Sequence, residues 1–448
     1  MTPLILWLAL LQSPAPPPSP SGSRAFRIDD EVRKIASRPL WPGFDPARVP
    51  LAVFDGGNTF LFRHPQPPPE FRPVPNRPET AVVAGQHALV RANTSIALGD
   101  VRTATLLADA TPEIPVRDAA AVAVHEAFHV FQAERHPKWG GNEVDLFTYP
   151  IDDPVLLQLS RLEAEALRRS LAATGEKNAA CRAAAALDLR RTRFARLGES
   201  GALYERGTEL KEGLARLVES RARGDSSKEP VFPANDFAAG DVRSRSYAVG
   251  HAFGLLLDRF APRWESKLEN GADRALDGIL SEALAARPAA RACAFTGQET
   301  ARALDAAKRS VELERLTRAA VREDFFGRAG WKLVVVAESE PLSPQAFDPL
   351  NVDRLAPGEV LHTRWVKVGN RTGALEVLNA RALTESAGKH PLFEGVRRVT
   401  VTGLAKEPDV RESGAELTVE AAGVSARFTG ARWERKDRTT TVHVSKGP

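Results

Sequence analysis

Two histidines four residues apart, with a glutamate beside the first, make His125-Glu126-Ala127-Phe128-His129 the stretch of this chain best suited to chemistry. On a helix, positions i and i+4 share a face, so both imidazoles can reach one metal ion while Glu126 addresses a water there. The chemistry implied is metal-assisted hydrolysis. One zinc ion would acidify water and polarise a carbonyl, and Glu126 would take the proton as general base and return it to the leaving amine.

The flanking residues supply the helix. Ala119 to Gln132 runs without Gly or Pro, Asp118 is a suitable N-cap and Pro137 a stop, so the spacing predicts a helix over 118–135. It is apolar on most faces and so expected to be buried. Two imidazoles and a carboxylate on a buried helix need partners, and a cation provides one directly.

HExxH on such a helix resembles the zincin metallopeptidases. The metzincin branch continues HExxHxxGxxH, but here Gln132 stands in place of the glycine and Arg135 in place of the third histidine, with His136 one residue late. The gluzincin branch takes its third ligand from a glutamate on a later helix, in a stretch resembling Asn-Glu-Gly-Phe-Ala. Glu212-Gly213-Leu214-Ala215 is similar to it, within a helical run over 199–221. The resemblance therefore implies one zinc ion held by His125, His129 and Glu212. Glu209 or Glu205 are the next choices for the third ligand, and Glu163 or Glu165 lie further out. Glu209 could also orient a ligand imidazole from behind. On a helical wheel, Leu203, Leu210, Leu214 and Leu217 form the apolar stripe, and Glu212 falls opposite with Glu205 and Glu209, the pattern of a solvated acidic face. Zincins also use a Tyr, His or Arg to stabilise the oxyanion. Tyr247, in Arg243-Ser-Arg-Ser-Tyr-Ala-Val-Gly-His251, is the first choice here and His251 the second.

The remainder of the chain bounds the setting. It has 448 residues, 43% of them hydrophobic, enough for one large or two to three ordinary cores. Its 61 basic and 57 acidic residues are interspersed, which argues against a nucleic-acid partner. Leu4 to Leu11 is an apolar block too short to span a bilayer but suited to a signal peptide, so 1–23 reads as leader plus Pro/Ser linker and the protein as exported. Cys181 and Cys293 would either pair, as export allows, or remain two buried thiols.

The expected fold class is α+β. Residues 24–117 carry strand and turn signals, including a hairpin of 51–54 with 59–63 and further strands at 81–84, 88–94 and 101–107. From 118 to 325 the pattern is helical, with candidates at 118–135, 154–173, 177–196, 199–222, 245–260, 272–286 and 298–319. Together these read as a zincin-like catalytic unit, a small sheet beside a helical part. Short alternating runs over 326–448 read as a C-terminal all-β sandwich or barrel. The expected substrate is a peptide or protein. The rival readings are a secreted binding protein with a degenerate, inactive metallopeptidase-like domain, and a zinc hydrolase of a non-peptide amide.

Overall fold

The computed structural model describes residues 23–110, 112–224, 230–234, 236–271, 274–287, 293–348 and 351–445. The expected leader, apart from its last residue, lies outside them. The described chain mixes helix and sheet, with helices and one sheet first and an all-β region last. Its α-helices are α1 (Arg24–Ile35), α2 (Val116–Arg135), α3 (Pro154–Ala172), α4 (Glu176–Leu197), α5 (Glu199–Thr208), α6 (Leu214–Arg223), α7 (Val242–Phe260), α8 (Glu265–Glu269), α9 (Leu276–Ala285) and α10 (Gly297–Gly327). No described helix is long and apolar enough to cross a membrane.

The chain forms two compact units that interleave along the sequence. Among the described residues, the first comprises those within 1–139, 210–230 and 257–274, and the second those within 140–209, 231–256 and 275–448.

In the first unit, strands β1 (Leu51–Phe54), β2 (Asn58–Phe62), β3 (Arg72–Pro73), β4 (Thr80–Ala84), β5 (Thr94–Leu98) and β6 (Val101–Leu107) form one sheet in the order β3-β4-β2-β1-β6-β5. The expected hairpin is present, with Leu51 opposite Phe62. β1 also pairs in parallel with β6, so all four of its residues are buried. The strand expected at 88–94 forms instead at 94–98, because the backbone turns at Ala88 and Leu89 and the Asn93 side chain accepts from the Leu107 amide. A helix stands where only strands and turns were expected: α1, capped by Ser23, buries Phe26, Ile28, Val32 and Ile35.

α2 packs against α1, β5, β6 and α6. Ala119, Ala120, Ala121, Ala123 and Ala127 are buried on several sides of it, and side chains that small allow close approach. Phe128 meets Trp41 and Phe44 edge-on at 5.4 and 5.1 Å, fixing the helix's rotation about its axis. Its N-cap is Pro115 rather than Asp118. Asp118 lies in the first turn, where a carboxylate favours the helix dipole.

In the second unit, α3 and α4 pack side by side, and α10 lies against α3. α10 continues past the expected end at 319, because Val321, Phe325 and Phe326 pack with Leu355, Leu361 and Leu383. The β region contains a seven-stranded and a six-stranded sheet. Val335, Val399, Val401 and Val442 from one sheet and Val366, Leu375, Val419 and Phe428 from the other share one apolar core. Two sheets facing across a common core form a sandwich. Alternation makes it so: Val424–Thr429 buries every second residue.

Candidate metal centre

The histidines of α2 meet a glutamate from a different segment. Between α5 and α6 the chain makes one π turn, Glu209–Gly213, and Glu212 belongs to it. His129 Nε2 lies 3.1 Å from His125 Nε2 and 3.2 Å from Glu212 Oε2, and His125 Nε2 lies 4.0 Å from the same oxygen. The three side chains are 12%, 9% and 9% exposed for His125, His129 and Glu212. Ligands of a tetrahedral ion bonded at about 2.0–2.2 Å stand roughly 3.3 Å apart, so two of these separations already suit a shared cation. Among the described residues, these three form one group able to hold a metal ion.

Neighbouring side chains set the proton positions. His125 Nδ1 lies 3.0 Å from Glu219 Oε2. Burial raises the Glu219 pKa, but the hydrogen bond and charge of His125, with Arg216 and Arg223, outweigh it and bring it down to about 2. An ionised carboxylate only accepts, so His125 carries its proton on Nδ1. His129 Nδ1 lies 2.8 Å from Gln132 Oε1, and Gln132 Nε2 donates to the carbonyls of Leu210 and Lys211 at 3.0 and 2.9 Å. The amide orientation follows from those donations, so His129 too is protonated on Nδ1. With both rings in the neutral state, the Nε2 lone pairs then face each other and the Glu212 carboxylate. Three acceptors at such distances repel unless a positive charge lies among them, and this donor set fits a divalent cation.

The surrounding carboxylates favour positive charge at this place. Burial lowers the His125 pKa, but Glu219, with Glu126 and Glu212, more than offsets it and the net shift is upward. Burial raises that of Glu126, and Glu212 and Glu219 add to the rise against the two histidines. Glu126 is 7% exposed and makes no hydrogen bond or ion pair with another described residue. Glu126 is thus a buried carboxylate without such partners, beside the three side chains that could hold a metal ion.

The π turn overturns the helical-wheel expectation. Leu214 and Leu217 are buried, but Leu203 is 58% exposed, while Glu205, Glu209 and Glu212 are 3%, 1% and 7% exposed. A wheel assumes a constant angle per residue, and an i→i+5 turn breaks that phase between 203 and 217. The acidic row is therefore buried rather than solvated. Gly213 keeps ordinary helical angles.

Other candidates are engaged elsewhere. In the second unit Arg190 binds Glu163, Glu209 and Asp277 at 2.9, 2.7 and 3.0 Å, and Arg193 binds Glu163 and Glu205 at 2.7 and 2.6 Å. Glu165 pairs with Arg168 and Arg169. The group orienting His125 is thus Glu219 and not Glu209. His136 faces Glu269 at 3.0 Å and stacks on Trp139. Tyr247 lies on α7 in the second unit, its hydroxyl accepting from Arg243 Nε at 3.0 Å, and His251 is buried one turn further on. Cys181 and Cys293 form a disulfide. Sequence reasoning missed Glu219 and Gln132 as site residues. The available signal for Gln132 was spacing, since it follows His129 by three on one helix face; none marked Glu219, whose partner His125 lies far along the chain.

Compared with protein-family models, with curated proteins and with solved structures, the chain matches none.

Proposed function

We propose that this protein is an exported zinc-dependent hydrolase of peptide bonds, similar in design to the gluzincin metallopeptidases, with His125, His129 and Glu212 as ligands and Glu126 as general base. The observation that carries the reading is the convergence of the two Nε2 atoms and the Glu212 carboxylate beside Glu126, a buried glutamate that makes no hydrogen bond or ion pair with another described residue. When bound, zinc supplies Lewis acidity towards water and a carbonyl oxygen. The chain's own residues do the rest. Glu219 and Gln132 hold each imidazole proton on Nδ1 and keep both rings aimed at one point. Glu126 accepts a proton from the attacking water and delivers it to the leaving amine, a task for which a carboxyl pKa raised by burial is better matched to neutral pH. Strand β5, an edge of the sheet packed against α2, offers backbone groups to an extended peptide. Tyr247 keeps the role of oxyanion donor on the sequence reading alone, and Tyr247→Phe tests it through kcat with zinc affinity unchanged.

The test of the reading as a whole is metal analysis of purified protein together with a peptide-library cleavage assay on wild type and Glu126→Gln. One zinc per chain in both proteins, with turnover only in wild type, is expected. Full turnover by Glu126→Gln would refute the mechanism.

A further inference from the structure

We propose that Gln132 is the positioning residue of this centre: its side-chain amide fastens the π turn that presents Glu212 to the helix that presents the histidines, and holds His129 as the Nδ1-protonated tautomer. The proposal rests on the reading of His125, His129 and Glu212 as metal ligands and goes beyond it, since Gln132 touches no metal.

Gln132 is 2% exposed, three residues beyond His129 on the same face of α2. Its Nε2 donates to Leu210 O at 3.0 Å and Lys211 O at 2.9 Å, both within the Glu209–Gly213 turn. A backbone carbonyl has two lone pairs and can only accept, so these bonds leave Oε1 facing His129 Nδ1 at 2.8 Å. One amide thereby makes three hydrogen bonds, two to the segment carrying one ligand and one to another ligand itself. Lys211 is the immediate neighbour of Glu212, so the clamp acts one residue from the carboxylate it positions. Glu212 and His129 stand 3.2 Å apart across the same two segments.

The position is chemically exacting. A carboxylate at 132 would still accept from His129 but could not donate, and would face two carbonyl oxygens. An apolar side chain of similar size would satisfy none of the three groups, and the His129 Nδ1 proton would lose its acceptor. Only an amide of this length offers acceptor and donors in opposite directions.

The test compares zinc affinity, by competition with a chromophoric chelator, in full-length wild type, His125→Ala, Gln132→Leu and Gln132→Glu, with the visible absorption of the cobalt-substituted proteins as second readout. Expected is stoichiometric zinc in wild type, none in His125→Ala, and affinity weakened about 10–100-fold in Gln132→Leu, the range for loss of a ligand-orienting partner. The cobalt band of Gln132→Leu is expected to shift, which a mere loss of global stability would not cause. Gln132→Glu is expected to fall between the two. Affinity within threefold of wild type and an unshifted band in Gln132→Leu overturn the proposal and leave the ligand assignment standing. Zinc missing from wild type overturns both. Should circular dichroism show Gln132→Leu unfolded, Gln132→Glu decides, and wild-type affinity there overturns the clamp.

Discussion

Replacing Glu219 by glutamine should cost stability in a way that depends on pH, and the structure sets sign and size. The Glu219 carboxyl is 3% exposed, and its pKa falls from the ordinary 4.5 to about 2 because His125, Arg216 and Arg223 together outweigh its burial. At 1.36 kcal/mol per pKa unit, that difference is worth about 3 kcal/mol at neutral pH. This is an upper figure, because Arg216 is 41% exposed and water screens its share. A carboxyl whose folded pKa is depressed contributes stability that is present above its unfolded pKa and lost as pH falls through the folded one. The gap between wild type and Glu219→Gln should therefore be full above about pH 5 and close between about pH 4.5 and 2. Urea unfolding with a chelator present, to keep metal linkage out, measures it through the fluorescence of Trp41, Trp139 and Trp264, which lie in the same unit. A gap of the same size at pH 7 and pH 3 would refute the reasoning, since it would mean the charge of Glu219 does not contribute.

Other consequences concern both units. Arg190→Leu removes the shared cation of Glu163, Glu209 and Asp277, and should destabilise by about 3–5 kcal/mol in denaturant titration because buried carboxylates lose their partner. Gly207→Ala should cost about 1–3 kcal/mol, since a Cβ there would stand 2.3 Å from the Gly140 carbonyl oxygen and backbone must move. Reducing the Cys181–Cys293 disulfide, which spans 112 residues, should cost about 2–5 kcal/mol and lower Tm in a scan with and without reductant. Metal affinity should weaken as pH falls through the upward-shifted pKa of His125, because a protonated imidazole cannot ligate; a chelator-competition series across pH measures it.

Much of the centre was legible because HExxH carries its own geometry: a helix free of Gly and Pro puts His125 and His129 on one face whatever surrounds it. The hairpin at 51–62 and the alternation in the last 120 or so residues were readable for the same local reason. What could not be read was set by phase and by distance. The π turn at Glu209–Gly213 is invisible to a wheel of constant pitch, so the buried row of Glu205, Glu209 and Glu212 looked solvated. Gln132 counted only as a departure from the metzincin pattern, because its partners, the carbonyls of Leu210 and Lys211, lie far along the chain. Helix α1 carried readable signs, with Ile28, Val32 and Ile35 at i, i+4 and i+7 behind Ser23, in a stretch whose strand and turn signals over 24–117 pointed away from helix. The early stop assigned to α10 reflects tertiary packing of Phe325 and Phe326 that no local propensity encodes.

The central claim, that His125, His129 and Glu212 bind one metal ion, is tested most directly by anomalous diffraction at the zinc edge from crystals grown with zinc. The account predicts a single strong peak about 2.0–2.2 Å from His125 Nε2, His129 Nε2 and a Glu212 carboxylate oxygen. A peak bonded to other residues, or none at this cluster, would contradict it.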